Sequence, residues 1–167
     1  MDVNASLAVK LLRWYRRHGR VLPWRQTHDP YKILVSEMML QQTQVDRVIL
    51  FYERWLKEFS DWKSLANASN TKVIHAWAGL GYNRRALMLR EIARMVVAKG
   101  VPQTQADWQE LKGIGPYTAA AISAFAQHKR TMPIDTNIRR VLGRLLLGLP
   151  YPQLTDETRI QHATQSF

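Results

Sequence analysis

The chain has 167 residues, of which 46% are hydrophobic, so it is long enough to bury a core and too apolar to be a disordered polypeptide. Its 24 lysines and arginines outnumber 13 aspartates and glutamates, and the formal net charge of +11 favours a polyanionic partner such as nucleic acid. The absence of cysteine excludes disulfides, thiolate metal ligands and cysteine nucleophiles. There is no apolar run long enough to span a bilayer and no signal-peptide core, so we expect an intracellular protein without a membrane partner.

Helical spacing of the apolar residues predicts an all-α chain, since no segment alternates as a strand does. The predicted helices cover residues 6–18, 30–45, 48–59, 62–66, 71–78, 83–98, 117–125 and 134–147, with a short helix after Thr104 and a last one capped by Thr155. Residues 22–25 are predicted to be a loop because Pro23 disfavours a helix there. Asp29 followed by Pro30 predicts an N-cap and first helical position. From helical spacing, Val97 is predicted to face inward with the other apolar residues of segment 83–98.

Glu37 is the single carboxylate in the stretch 36–45 and is followed directly by the apolar residues Met38, Met39 and Leu40. Within one helical turn of it, on the same side, lie Ile33, Leu34, Leu40 and Gln41. Because three of these neighbours are apolar, the carboxyl group is partly desolvated and its pKa should be raised. Such a group can act as a general acid near neutral pH. The alternative is a solvated glutamate whose aliphatic stem covers a core helix.

Residues 111–119 are predicted to form a hairpin between two helices that holds a DNA phosphate. Gly113 and Gly115 permit positive φ angles, so backbone N–H groups can point at an anion, and the following helix adds its positive dipole end. Lys112 adds a charge in the turn. Such a hairpin grips the DNA backbone without recognising bases. The alternative is a tight helix–helix corner without a ligand.

Asp135 lies at the predicted N-terminus of a helix, just after Pro133. It can be a simple N-cap. Together with Glu37 and the hairpin, however, it supplies a second carboxylate that the helix dipole keeps ionised. Cleavage of a glycosidic bond needs this asymmetry, because an acid assists the leaving group while an anion faces the cationic sugar.

Six motifs resemble, in order and spacing, those of the helix-hairpin-helix DNA glycosylases, specifically the MutY adenine glycosylase branch. They are LPWR at 22–25, DPY at 29–31, SEMMLQQTQV at 36–45, WAGLGY at 77–82, LKGIGPYTA at 111–119 and DTNIRRV at 135–141. The resemblance implies a single glycosylase domain over residues 1–167. Within it, residues 22–133 would form a six-helix barrel that contains the hairpin, while 1–21 and 134–167 would belong to an incomplete second helical half.

The resemblance also implies an activity, the excision of adenine mispaired with 8-oxoguanine or guanine from double-stranded DNA after base flipping. By this resemblance Glu37 would protonate adenine at N7 and Asp135 would stabilise the oxocarbenium-like or covalent sugar intermediate. Tyr117 would assist Asp135 and the departing base. Bifunctional relatives carry a Schiff-base lysine at the position of Tyr117. We therefore expect a monofunctional enzyme that leaves an abasic site.

Five further residues match family positions that contact the mispair. Trp24 and Arg25 match the adenine pocket, while Gln42 and Leu80 match residues that wedge into the duplex near the oxidised guanine, with Thr43 beside them. Without the resemblance, Trp24 and Leu80 would be interpreted as core, Gln42 as a solvated helix residue and Arg25 as a surface charge.

Two departures keep other functions open. Thr136 replaces the usual glycine and Asn83 the usual second tyrosine, so a thymine or uracil mismatch glycosylase is the alternative substrate class. The family also continues past this C-terminus into further helices and four cysteines that bind a [4Fe-4S] cluster, for which this chain has no ligands. We therefore expect no cofactor or metal here, a monomer, and exposed apolar surface around the first and last helices. A non-catalytic helix-hairpin-helix DNA-binding module is the third alternative.

Overall fold

The computed structural model describes residues 3–164, with side chains described for 7–153 and 155–164, and this part of the chain is all-α as predicted. Its helices are α1 Val3–His18, α2 Pro30–Leu40, α3 Val45–Glu58, α4 Trp62–Ala66, α5 Asn70–Trp77, α6 Arg84–Lys99, α7 Gln105–Gln109, α8 Pro116–Phe125, α9 Thr136–Leu147 and α10 Glu157–Thr164. The segment predicted as a loop contains one 3₁₀ turn, Pro23–Arg25, because proline suits a first helical position. Every helix in the described residues is too short or too polar to cross a membrane.

Two compact units make up the chain. One consists of Leu22–Pro133 and contains α2 to α8, and the other combines Met1–Val21 with Ile134–Phe167. The core of the first unit is aromatic, since Trp55, Trp77 and Trp108 are completely buried. The buried hydroxyl of Tyr31 donates a hydrogen bond to the Phe59 carbonyl at 2.7 Å and accepts one from the Trp55 indole at 3.2 Å. These contacts fix α2 against α3.

Side chains cap the helix starts at three predicted positions. Asp29 accepts a hydrogen bond from the backbone N–H of Tyr31, and Asp135 caps α9. Thr104 and Asp107 form a reciprocal capping box at the start of α7. Each cap satisfies backbone N–H groups that have no partner within the helix.

Two sequence-based expectations about helix bounds and one about burial are wrong. The helix of Glu37 ends at Leu40 rather than continuing to residue 45, because Gln42 adopts a left-handed conformation with φ of 56°. Thr155 lies inside a 3₁₀ turn, Leu154–Asp156, and does not cap α10. Val97 is 52% exposed, whereas the adjacent Val96 is buried where α6 packs on α4 and α5.

The unit that combines both ends of the chain packs α9 against α10. Gly143 of α9 is buried, and a Cβ there would lie 2.3 Å from Pro152, so only glycine fits this contact. An ion pair between Arg139 and Glu157 adds a second link. As expected, α1 exposes large apolar side chains to solvent, namely Val9, Leu11, Leu12, Trp14 and Tyr15. The helix α9 also exposes three, which are Ile138, Val141 and Leu145.

Candidate active site

Glu37 lies in the middle of α2, and its carboxyl group has no hydrogen-bond or ion-pair partner among the described side chains, 7–153 and 155–164. The side chain is half-buried, and Ile33 and Leu34, one turn earlier, are buried. Burial raises the pKa of Glu37 from its ordinary value of 4.5 to about 7. The desolvation inferred from the sequence is therefore confirmed, and the carboxyl group can be either protonated or ionised near neutral pH.

The helix that carries Glu37 is held from several sides. It packs against α3, α6 and α8, and against the 3₁₀ turn at Pro23–Arg25. Because α8 is one of these neighbours, the helix of Tyr117 lies directly on the helix of Glu37. Tyr117 is on the first turn of α8 and is partly exposed.

A four-residue turn follows α2 and carries Gln42 and Thr43. The backbone N–H of Thr43 donates to the Leu40 carbonyl at 3.3 Å, which closes the turn. Gln42 is exposed at its tip, in a left-handed conformation that non-glycine residues seldom adopt. Neither residue continues the helix, which contradicts the predicted helix over residues 30–45. Both are nevertheless only five and six positions from Glu37.

The side chain of Arg85 joins this turn to a second one, at residues 78–83. One terminal nitrogen donates to the carbonyls of Met38 at 2.8 Å and Gln41 at 2.6 Å, and the other donates to Gly81 at 3.1 Å. Burial lowers the pKa of the guanidinium. The sequence alone does not identify Arg85, because it is one of four arginines in a single segment and no local pattern separates a buried arginine from solvated ones.

Leu80 and Tyr82 differ sharply in exposure within the second turn. Leu80 is only 7% exposed and belongs to the core, whereas Tyr82 is 68% exposed. The role of Leu80 near the mispair stays a prediction, and its burial favours the core interpretation. Tyr82 is the large side chain that this turn presents to solvent, and sequence analysis had not singled it out.

Trp24 and Arg25 face different environments in the 3₁₀ turn. Trp24 is buried and contacts the ring of Tyr52 edge-on, with centroids 5.4 Å apart. Arg25 is exposed. The packing interpretation suits Trp24, and contact of either residue with a base stays a prediction.

The predicted hairpin is present between α7 and α8. Gly113 has a φ of 97°, and a Cβ there would lie 1.8 Å from the sulphur of Met88, so glycine is required for both reasons. Gly115 instead has a φ of −85° and open space around it, so only the first of the two glycines uses the positive φ that glycine permits. Ile114 is buried between them, and Lys112 is exposed. The turn thus presents backbone and one cation to solvent at the start of α8.

Asp135 lies in the other unit, at the start of α9. Its Oδ1 accepts a hydrogen bond of 2.7 Å from the backbone N–H of Ile138. Its Oδ2 has no hydrogen-bond partner in the described part of the chain. The N-cap interpretation is therefore correct for Oδ1.

The described residues offer few side chains that could bind a metal ion together. Residues 3–164 contain no group of three or more histidine, aspartate or glutamate side chains that could hold a metal ion. The chain also has no cysteine to ligate the iron–sulphur cluster that the resemblance implies for longer proteins. The residues present therefore do not fit that cofactor.

Curated relatives and solved structures give a consistent comparison. The chain is 42% identical over 142 residues to the adenine DNA glycosylase of Mycobacterium tuberculosis, covering 83% of this chain and 47% of that protein. It is also 42% identical over 147 residues to that of Homo sapiens, covering 81% of this chain and 27% of the relative. The chain thus spans about half or less of the length of these relatives.

The fold is that of known base-excision glycosylases. A thermostable thymine-DNA glycosylase superposes with a TM-score of 0.87 at 26% identity, covering 97% of this chain and 77% of that one. A non-covalent endonuclease III–DNA complex gives 0.77 at 15% identity, over 99% and 78% of the two chains, and supports the fold alone. The family model described as "HhH-GPD superfamily base excision DNA repair protein" matches residues 35–160. The chain therefore belongs to the HhH-GPD superfamily of base excision DNA repair proteins.

Proposed function

We propose that this chain carries the excision centre of a monofunctional adenine DNA glycosylase that acts, as an intracellular monomer, on adenine opposite 8-oxoguanine or guanine. The observation that carries the proposal is Glu37, a desolvated carboxyl group with a pKa of about 7 at the family's acid position. The similarity of the chain to curated adenine DNA glycosylases supports adenine as the excised base.

The reaction needs a proton on the base before the glycosidic bond breaks. Glu37 in its protonated form donates that proton to N7 of the flipped adenine, which leaves with the bonding electron pair. The positive charge that develops on the sugar is stabilised by the carboxylate of Asp135. Water then adds to C1′ and gives up a proton, so that the products are free adenine and an abasic site.

Tyr117 limits the chemistry to base removal. Strand cleavage by bifunctional glycosylases requires an amine that forms a Schiff base with the sugar. Tyr117 has no amine, and Lys112 lies on the other side of the hairpin turn. In the proposed function, Tyr117 assists Asp135 and the departing base.

The same proposal assigns the DNA contacts. The hairpin holds a phosphate through its backbone N–H groups, the dipole of α8 and the charge of Lys112. Trp24 and Arg25 contact the adenine, and Gln42, Thr43 and Leu80 contact the opposite base. The net charge of +11 supports DNA association and makes it dependent on salt.

A thymine mismatch glycosylase is the second candidate. It is favoured by the superposition on a thymine-DNA glycosylase at a TM-score of 0.87 and by Asn83, which replaces the second tyrosine of the adenine branch. The adenine proposal is preferred because the identity to adenine DNA glycosylases is 42%, against 26% for that structure.

Three duplexes separate these functions, carrying adenine opposite 8-oxoguanine, adenine opposite guanine, and thymine opposite guanine. After incubation with the protein, each is treated with hot alkali and the labelled strands are resolved. We expect breaks at adenine only after alkali, and none with the Glu37→Gln variant. Breaks at thymine would indicate that the protein is a thymine mismatch glycosylase. Binding of all three duplexes without any break would indicate a DNA-binding module. Excision by the Glu37→Gln variant would show that Glu37 is not the proton donor.

A further inference from the structure

We propose that Arg85 is a positioning residue for excision, whose guanidinium fixes the end of the Glu37 helix to the turn at residues 78–83. The proposal rests on the function proposed above for Glu37, and it adds a residue that does not itself touch the substrate. It is carried by the hydrogen bonds, burial and backbone conformations around one side chain.

The end of α2 has carbonyl groups without helical partners. The last four carbonyls of any helix lack an N–H from the following turn. Here the Leu40 carbonyl accepts from the N–H of Thr43, while the carbonyls of Met38 and Gln41 accept from Arg85. A cation at a helix C-terminus is also favourable for the helix dipole. Arg85, which lies 44 residues after Gln41, therefore satisfies carbonyl groups at the helix end that backbone N–H groups of a local glycine cap often satisfy.

The same guanidinium holds the second turn. Its other terminal nitrogen donates to Gly81 at 3.1 Å, and the Trp77 indole donates to the same carbonyl at 3.0 Å. The guanidinium carbon also lies 5.4 Å from the ring centroid of Trp77 and 5.5 Å from that of Tyr82, within the range of cation–π attraction. One planar group thus bridges two turns that are about 40 positions apart in the sequence.

Backbone strain is concentrated at these two turns. Three non-glycine residues in the described chain have positive φ, and two of them are Gln42 at 56° and Tyr82 at 49°. Such conformations persist where surrounding contacts over-determine them. Arg85 contacts the peptide just before Gln42 and the peptide just before Tyr82, so it holds both strained residues.

Arg85 sets where the exposed ends of both turns lie relative to Glu37. Glu37 is one residue before Met38, whose carbonyl Arg85 binds. Loss of the Arg85 guanidinium would remove the hydrogen bonds to Met38, Gln41 and Gly81. The turn of Gln42 would then be less restrained, and the last turn of α2 could fray. A displacement of about 1 Å at a proton donor can lower a rate roughly a hundred-fold.

Arg90 provides a matched control on the same helix. Both arginines are 8% exposed, and both guanidinium groups bind carbonyl oxygens. Arg90, however, binds the carbonyl of Ala68 and the side chain of Asn70, between α4 and α5. Lysine at either position keeps the charge and loses the planar fork.

The test compares Arg85→Lys with Arg90→Lys in the full chain. We expect both variants to unfold at lower denaturant concentration than the unsubstituted protein. Under single-turnover conditions with saturating protein, Arg85→Lys should excise adenine opposite 8-oxoguanine roughly ten- to a hundred-fold more slowly. Arg90→Lys should stay within about two-fold, and both should bind an undamaged duplex equally well.

Hydrogen exchange gives a readout that does not depend on catalysis. Arg85→Lys should speed amide exchange at residues 38–45 and 78–84, while Arg90→Lys should speed it only near 66–71. If the two variants lose excision equally, or Arg85→Lys leaves exchange at both turns unchanged, the proposal is overturned. If the unsubstituted protein excises no base, the proposed function fails, and the exchange experiment still decides whether Arg85 holds the turns.

Discussion

Replacement of Glu37 by glutamine should stabilise the protein, and the gain should grow with pH. The folded protein raises the pKa of this carboxyl group from 4.5 to about 7 because burial disfavours the ionised form. At about 1.36 kcal/mol for each pKa unit, the difference corresponds to about 3 kcal/mol. A raised folded-state pKa means that stability is fully present below pH 4.5 and is lost as the pH rises to about 7. Glutamine is uncharged throughout and escapes this loss.

The measurement is urea unfolding followed by tryptophan fluorescence at pH 5 and at pH 8. Five of the six tryptophans lie in the unit Leu22–Pro133 that carries Glu37, so the signal reports on the relevant unit. The advantage of Glu37→Gln over the unsubstituted protein should be about 2.5 kcal/mol larger at pH 8 than at pH 5. Glu110→Gln, at an exposed position, is the control for changing a carboxylate to an amide.

An advantage of the same size at both pH values would refute the reasoning, because it would mean that Glu37 is not desolvated in the folded protein. The same carboxyl group gives a kinetic counterpart. Since only its protonated form donates to the base, the single-turnover excision rate should fall about ten-fold for each pH unit above 7. A rate that stays constant up to pH 9 would exclude this group as the donor.

Three further predictions concern the hairpin and the second carboxylate. Gly113→Ala should lower the free energy of unfolding by about 2–4 kcal/mol, because alanine disfavours the positive φ and its Cβ would overlap Met88. Gly115→Ala should change it by less than about 0.5 kcal/mol. Equal losses for the two variants in urea unfolding would contradict the geometry. Lys112→Gln should reduce the slope of log binding constant against log salt by about 0.9, and an unchanged slope would place this lysine away from phosphate. Asp135→Asn keeps an N-cap, so stability should hold within about 0.5 kcal/mol while excision falls at least about a hundred-fold; retained excision would leave Asp135 a cap only.

Local chemistry made much of the fold predictable from the sequence. Helix starts follow from short-range hydrogen bonds, so the caps at Asp29, Thr104 and Asp135 were found where polar residues precede apolar periodic segments. The raised pKa of Glu37 followed from its neighbours within one helical turn. These features depend on residues that are close in sequence, which a single sequence displays directly.

The end of α2 shows what local chemistry leaves out. The run from Gln41 to Gln44 contains no glycine or proline, and it continues the helical pattern, so nothing local ends the helix at Leu40. In the folded chain the Gln41 carbonyl of this turn accepts a hydrogen bond from Arg85, which is far along the chain and was not distinguished from three neighbouring arginines. On the inference above, this long-range contact holds Gln42 and sets its position relative to the acid. The residues proposed to carry the chemistry of this site are therefore visible in the sequence, whereas the buried cation proposed to set its geometry is identified only in the folded chain.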